Sequence, residues 1–316
     1  MIERIALIRT LQGAGMQVDS LESGRLIRCK TDDDKGLQKS GWYRLFDDAD
    51  LVTCVYGDWR NGSRGVWVGG DKPQTPAQRA NTKRLIEQAR QERQREQARQ
   101  WEINRARLMA LWNSAAPIAD SDPAGQYLTN RGLTVPQTDV LRYHPGLDYW
   151  HDGQRMGQFP AMLAAVTSPT GELVTIHRTH LTHDGHKAPV PSSKKLCSPA
   201  GVMGGASIKI GTPTARPDGR LAVGISEGIE TGLAASQLFG VPVWAGVSAH
   251  GLASFTPPPN VRNVYIFADR DQSETGQKAA AHLARRLTVQ GFTARIHTPP
   301  SIGDWNDELI AKEATV

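Results

Sequence analysis

Val264-Tyr265-Ile266-Phe267-Ala268-Asp269-Arg270-Asp271 is an apolar run that ends on two acids, and its reading decides the fold of the C-terminal third of the chain. A short continuous apolar run fits a strand buried on both faces. From residue 221 such runs alternate with helix-length segments. Strands are predicted at 221–226, 241–247, 263–268 and 292–297, and helices over about 228–239, 275–290 and 304–312. That alternation predicts a parallel α/β sheet, whose ligands bind beyond the carboxyl ends of the strands. Glu227 follows the first strand, Asp269 and Asp271 follow the third, and Asp304 and Asp307 lie just past the last. Five carboxylates delivered to one edge repel each other unless a cation sits among them. Hard oxygen ligands of this kind suit Mg²⁺ or Mn²⁺, the usual apparatus of phosphoryl transfer. Taken singly, each acid is equally readable as a helix N-cap, Asp304 above all.

The ordered set carries more than its members. Ser226-Glu227-Gly228, then Asp269-Arg270-Asp271 with Gly276 and Ala279-Ala280, then Gly303-Asp304 with Asp307 resembles the TOPRIM pattern of primases, topoisomerases and some nucleases. The resemblance implies a compact α/β domain whose single Glu and D-x-D bind Mg²⁺, with the later acidic pair matching further carboxylates of the bacterial replicative primases. Upstream, Phe159-Pro160-Ala161-Met162, Gly171-Glu172-Leu173 to Arg178, Asp184-Gly185 and Lys194-Lys195-Leu196-Cys197-Ser198-Pro199 resemble the primase core run, departing from it at Leu196 and Cys197. Tyr127 to Leu133 and Arg142-Tyr143-His144-Pro145 resemble the start of that core. This match implies that Arg178 and Lys195 contact nucleotide or template phosphates; without it they read equally as surface charges on a hairpin.

Residues 1–70 are glycine-punctuated and aromatic, with little helical periodicity after about Gln17. Strands are expected at 41–46 and from Tyr56 into a turn, which predicts a small β-rich module. Residues 41–67 resemble the accessory segment that precedes TOPRIM in primases of phages and mobile elements. Trp42, Tyr43, Tyr56, Trp59 and Trp67 either stack on single-stranded bases or fill the module's core. Pro73 and Pro76 then precede a predicted helix over 77–112. Its centre, 87–100, has no large apolar residue, so it is expected to stand free of any core. Glu/Arg pairs at i,i+3 support an exposed spacer roughly 50 Å long. This segment holds nine Lys/Arg against four Glu, an excess equal to the net charge of +5 for the whole chain. It is either a nucleic-acid contact or a solvated helix face.

Composition bounds the rest. With 39% hydrophobic and 22% charged residues among 316, the chain suits two or three soluble domains. There is neither a membrane-length apolar run nor a signal-peptide pattern at 1–15, so a bacterial cytoplasmic location is expected. Cys29, Cys54 and Cys197 are scattered without C-x-x-C, so no zinc ribbon is expected. His177, His180, His183 and His186 are expected to face solvent or phosphates rather than zinc. There is no G-x-x-x-x-G-K-[ST], so a replicative helicase would act in trans.

The expected architecture is therefore a β-rich module (1–70), a charged helical linker (71–112), an α+β primase subdomain (113–215) and an α/β TOPRIM domain with a parallel sheet (216–316). The resemblance implies a DNA primase that makes short RNA primers from ribonucleoside triphosphates on a single-stranded DNA template. Asp269, Asp271 and Asp304 would hold divalent metal, and Glu227 would sit beside the reacting 3′-hydroxyl. The alternatives are a TOPRIM nuclease and a non-catalytic single-stranded-DNA-binding replication protein.

Overall fold

The computed structural model describes residues 2–36, 38–47, 51–70 and 73–314, and divides into two compact units. The first comprises residues 1–100 with 150–155; the second comprises 101–149 with 156–316. Among the described residues no helix is long and apolar enough to cross a membrane.

In the first unit, helix α1 (Ile2–Gly13) precedes five antiparallel strands paired in chain order, β1 (Met16–Gln17), β2 (Leu26–Thr31), β3 (Gly41–Phe46), β4 (Thr53–Asp58) and β5 (Arg64–Val68). Every residue of the central strand β3 is buried, because both faces of the sheet are covered. Tyr43 and Leu45 pack with Leu7 and Leu11 of α1, while Trp42 and Phe46 face the other way. Trp42 and Tyr43 are each 2% exposed, so these two aromatics fill cores. Tyr56, Trp59 and Trp67 are half-buried.

The helix α2 (Pro76–Asn113) corrects one expectation. Its first half is docked on the sheet: Leu85 and Ala89 pack against Trp42, Phe46 and Val55. Glu92 pairs with the buried Arg44 at 2.7 Å rather than with Arg95, and Arg93 lies 5.6 Å over the Trp42 ring. Small Ala89 closes the interface where a large residue was looked for, and arginine stems and ion pairs extend it. The expected i,i+3 pairs survive at Glu87–Arg90 and Glu96–Arg99. Ala89 is fully buried, so Ala89→Leu should overpack the interface and cost about 1–3 kcal/mol in urea unfolding. The same change on a free helix would be neutral or mildly stabilising.

The second unit contains two sheets. β6 (Ala116–Pro117), α3 (Pro123–Thr129), β7 (Leu141–His151), β8 (Gln154–Thr167), β9 (Leu173–His180) and β10 (Lys194–Leu196) give an antiparallel sheet ordered β10-β9-β8-β7-β6. β11 (Thr214–Ala215), β12 (Leu221–Ser226), α4 (Ile229–Phe239), β13 (Val243–Ala245), α5 (Ala249–Ser254), β14 (Val261–Phe267), α6 (Thr275–Val289), β15 (Thr293–His297) and α7 (Trp305–Glu313) form the C-terminal α/β part. There β12 pairs in parallel with β13 and β14, and β14 with β15, as the alternation predicts. One core joins α4 to the antiparallel sheet through Leu233, Ala234, Met162 and Ala164. A second lies beneath α6, between Ala280, Leu283, Ile225 and Ile266.

Candidate active site at the carboxyl edge of the parallel sheet

Three of the five candidate acids sit where their strands end, while Asp304 and Asp307 lie at the start of α7, beyond the loop after β15. Glu227 follows β12 directly, and Asp269 and Asp271 lie just past β14. The loop after β15 is tied to the D-x-D loop by paired backbone hydrogen bonds. Arg270 N–H donates to Gly303 at 2.9 Å, and Gly303 N–H donates to Arg270 at 3.0 Å. That bridge brings Asp304 beside Asp269. Gly276 opens α6 close to both acids: a Cβ there would lie 3.7 Å from a Glu227 carboxylate oxygen.

The electrostatics show the crowding. Burial first, then the neighbouring Asp304, Glu227 and Asp271, push the Asp269 carboxyl up to about 7 against a hydrogen bond from Thr231. Glu227 is raised by burial and by Asp271. Carboxylates pressed together so hard that one resists ionisation form a donor set suited to a divalent cation. Among the described residues, no three His, Cys, Asp or Glu side chains already converge as a closed ligand set. Asp304 also caps α7, accepting from Asn306 and Asp307 N–H at 2.8 and 3.0 Å. The exposed Asp307 turns back to the Asp304 backbone at 3.0 Å, completing a capping box. Asp304 thus caps a helix and also bears electrostatically on Asp269.

The loop beyond β13 completes the site. Val247 takes φ 61, a left-handed conformation that is costly for a β-branched residue. Gly251 packs so closely on Gly246 that a Cβ would fall 1.8 Å from the Gly246 carbonyl oxygen. This strained, tight turn presents the Ala249 backbone N–H to Glu227.

Arg178 and Lys195 are direct cross-strand partners on β9 and β10. Lys195 lies 4.0 Å over the Tyr149 ring, and Arg178 donates to the Leu196 carbonyl at 3.0 Å. Strand alternation puts them on the sheet face opposite to Lys194. It is Lys194 that reaches the parallel sheet, with its ammonium 2.7 Å from Glu230 of α4. Tyr127 donates to the other Glu230 oxygen at 2.5 Å. Lys187 is held below its usual range by burial, then by Lys194 and Arg131, while Glu230 and Asp304 oppose that shift. Arg131, Lys187 and Lys194 thus form a cationic cluster beside the acids. The sequence reading passed over all three, although Arg131 and Lys194 stand inside the quoted primase-like runs.

The histidine expectation is corrected in part. His177 and His180 are buried, and burial lowers both to about 4, while His183 and His186 are exposed. β9 is covered on both faces, so alternation does not return these two histidines to solvent.

Residues 222–314 match the family model of the Toprim domain, and residues 102–208 match a domain of unknown function, DUF7146. The C-terminal part of this chain is a Toprim domain. Solved structures similar to the chain include a DNA primase domain from Pseudomonas aeruginosa (14% identity, TM-score 0.43, covering 67% of this chain and 76% of that one). The zinc-binding and RNA polymerase domains of the Aquifex aeolicus primase are similar at 13% identity and TM-score 0.43, over 99% of this chain and 81% of that one. A DnaG primase catalytic domain bound to single-stranded DNA is similar at 14% identity and TM-score 0.45, over 70% and 78%. No curated protein matches the chain in sequence.

Proposed function

We propose that this protein is a DNA primase, making short RNA primers on single-stranded DNA by divalent-metal-dependent nucleotidyl transfer. One observation carries the reading: Lys194, with its ammonium 2.7 Å from Glu230, brings positive charge to the corner of the crowded carboxylates, where it acts on Glu227 and, with Arg131, on Lys187. Acids alone suit many metal enzymes. Acids next to Arg131, Lys187 and Lys194 suit a metal-bound triphosphate.

Asp269, Asp271 and Asp304 would hold Mg²⁺ or Mn²⁺, with Glu227 and Asp307 at the margin. The ion would neutralise charge on the triphosphate. Glu227, raised by burial and Asp271, would accept the proton of the 3′-hydroxyl as its oxygen attacks the α-phosphorus. The new phosphodiester bond forms as the bond to pyrophosphate breaks. Arg131, Lys187 and Lys194 would steady the phosphates through this exchange. Arg178 and Lys195, on the far face, would meet template rather than the reacting phosphates. The four-segment domain division, a cytoplasmic location in a bacterial host and a helicase acting in trans belong to the same proposal.

Labelled ribonucleotides, single-stranded DNA and Mg²⁺ or Mn²⁺ test it. Short RNA products on gels are the expected result, absent with chelator. Cleavage of the DNA would transfer the site to a nuclease, and binding without any product would leave a non-catalytic replication protein.

A further inference from the structure

In the first unit, β2 with the loop before it and the polar stretch 92–99 of α2 flank a groove of about 560 Å³. Arg25, Arg28, Arg95 and Arg99 line it, with Glu92 and Glu96. Those acids are already engaged: Glu92 with Arg44, which lies outside the groove, and Glu96 with Arg99 at 4.0 Å. Arg25 meets Glu22 at 2.9 Å on an exposed surface, a pairing that water and salt readily replace. Arg28 donates to the Lys39 carbonyl at 2.8 Å, and neither it nor Arg95 forms an ion pair among the described residues. The Arg28 guanidinium lies 4.6 Å over the half-buried Trp59, whose indole Nε1 is buried without a partner. Alongside, Arg93 is depressed by burial and then by Arg64 and Arg90, so positive charge extends past the groove.

We infer that this groove holds the backbone of a single nucleic-acid strand. Guanidinium groups gathered with so few free carboxylates repel one another, and a polyanion relieves that repulsion. Residues 92–99 rise roughly 10 Å along the helix, so the arginines on that face follow a line along which a strand's phosphates can run. A single strand rather than a duplex is chosen because the template proposed for the second unit is single-stranded. The Arg28–Trp59 stack gives a base a flat neighbour. Nucleic acid, rather than another polyanion, is chosen because the second unit reads as a nucleotidyl transferase.

The test uses the full chain and fluorescent dT20, with anisotropy measured across a salt series. Arg28→Gln/Arg95→Gln should weaken binding by about tenfold and reduce the slope of log K against log salt by about 1.4, two contacts at ~0.7 each. Arg79→Gln/Arg84→Gln, on the same helix but outside the groove, should leave both unchanged. If the first pair melts early, Arg25→Gln/Arg99→Gln, at exposed positions, decides in its place. Wild-type affinity and slope in a stably folded groove variant would overturn the inference. So would equally tight, equally Arg28/Arg95-dependent binding of a duplex or of polyglutamate. Primer synthesis by the wild type is scored separately. Primers made with unchanged binding would remove the groove alone; weakened binding without primers would remove the primase reading alone.

Discussion

Asp269→Asn should lower nucleotide incorporation by at least about 10³-fold while making the metal-free protein more stable at pH 8. The loss follows because metal-borne charge stabilisation is worth several kcal/mol in the transition state. The gain follows from linkage. An unfolded Asp titrates near 3.9, whereas the folded Asp269 carboxyl is pushed up to about 7 by burial and three acidic neighbours. Between those values the folded state binds more protons than the unfolded state, so stability falls as pH rises from about 4 to 7. Above 7 the penalty is complete. Asn removes it and still offers Thr231 Oγ1 an acceptor in place of the one it now meets at 3.1 Å. Discounted for partial exposure, the gain should be on the order of 2 kcal/mol at pH 8, vanishing near pH 4. Mg²⁺ or Mn²⁺ should raise the wild-type melting temperature and leave that of the variant unmoved. A variant that is less stable at pH 8, or that still responds to metal, would dismantle the assigned site.

The parallel sheet was legible because its strands are short apolar runs ending on acids. The runs before Glu227 and Asp269 became β12 and β14 with nearly the expected bounds. β13 shrank to three residues, and α5 was not foreseen. α5 is six residues long, starts at a Ser248 cap and depends on the Gly246–Gly251 contact, too little sequence to show a period. The docking of α2 escaped for another reason. Its buried stripe passes from Leu85 and Ile86 to Ala89 and then to charged residues whose stems and ion pairs cover the sheet.

The face of a charged strand residue was least legible. Lys194 and Lys195 are neighbours in sequence and opposite in space. Which one meets the carboxylates depends on the β9–β10 register, set across the long connection 181–193. Glu230 escaped because the acids were sought at strand ends, and it sits one turn further on, inside α4.

Lys194→Met should cost about 3 kcal/mol at pH 8, and the cost should shrink in acid. Burial alone would raise the Glu230 carboxyl, yet Lys194 and the Tyr127 hydroxyl hold it down at about 2. Its depressed value means stability that is present above the unfolded value near 4.5 and lost as pH falls toward 2. Removing the ammonium strands a carboxylate whose side chain is only 5% exposed. Breaking a buried pair typically costs 3–5 kcal/mol, and the 37% exposure of Lys194 argues for the low end. At pH 4 the stranded Glu230 can protonate, so the gap to wild type should narrow. Adding Glu230→Gln should restore most of the loss, since the amide oxygen still accepts from Tyr127 and no charge is left buried. Urea unfolding of the two single variants and the double at pH 8 and pH 4 measures this coupling. Glu230 lies three residues from Glu227 on the same corner, so the single Lys194 variant should also lose incorporation, and the neutral double should recover its fold without its phosphate contact. Equal cost at both pH values, or no rescue by Glu230→Gln, would mean that Lys194 is held by packing alone and that the cationic cluster is not built around Glu230.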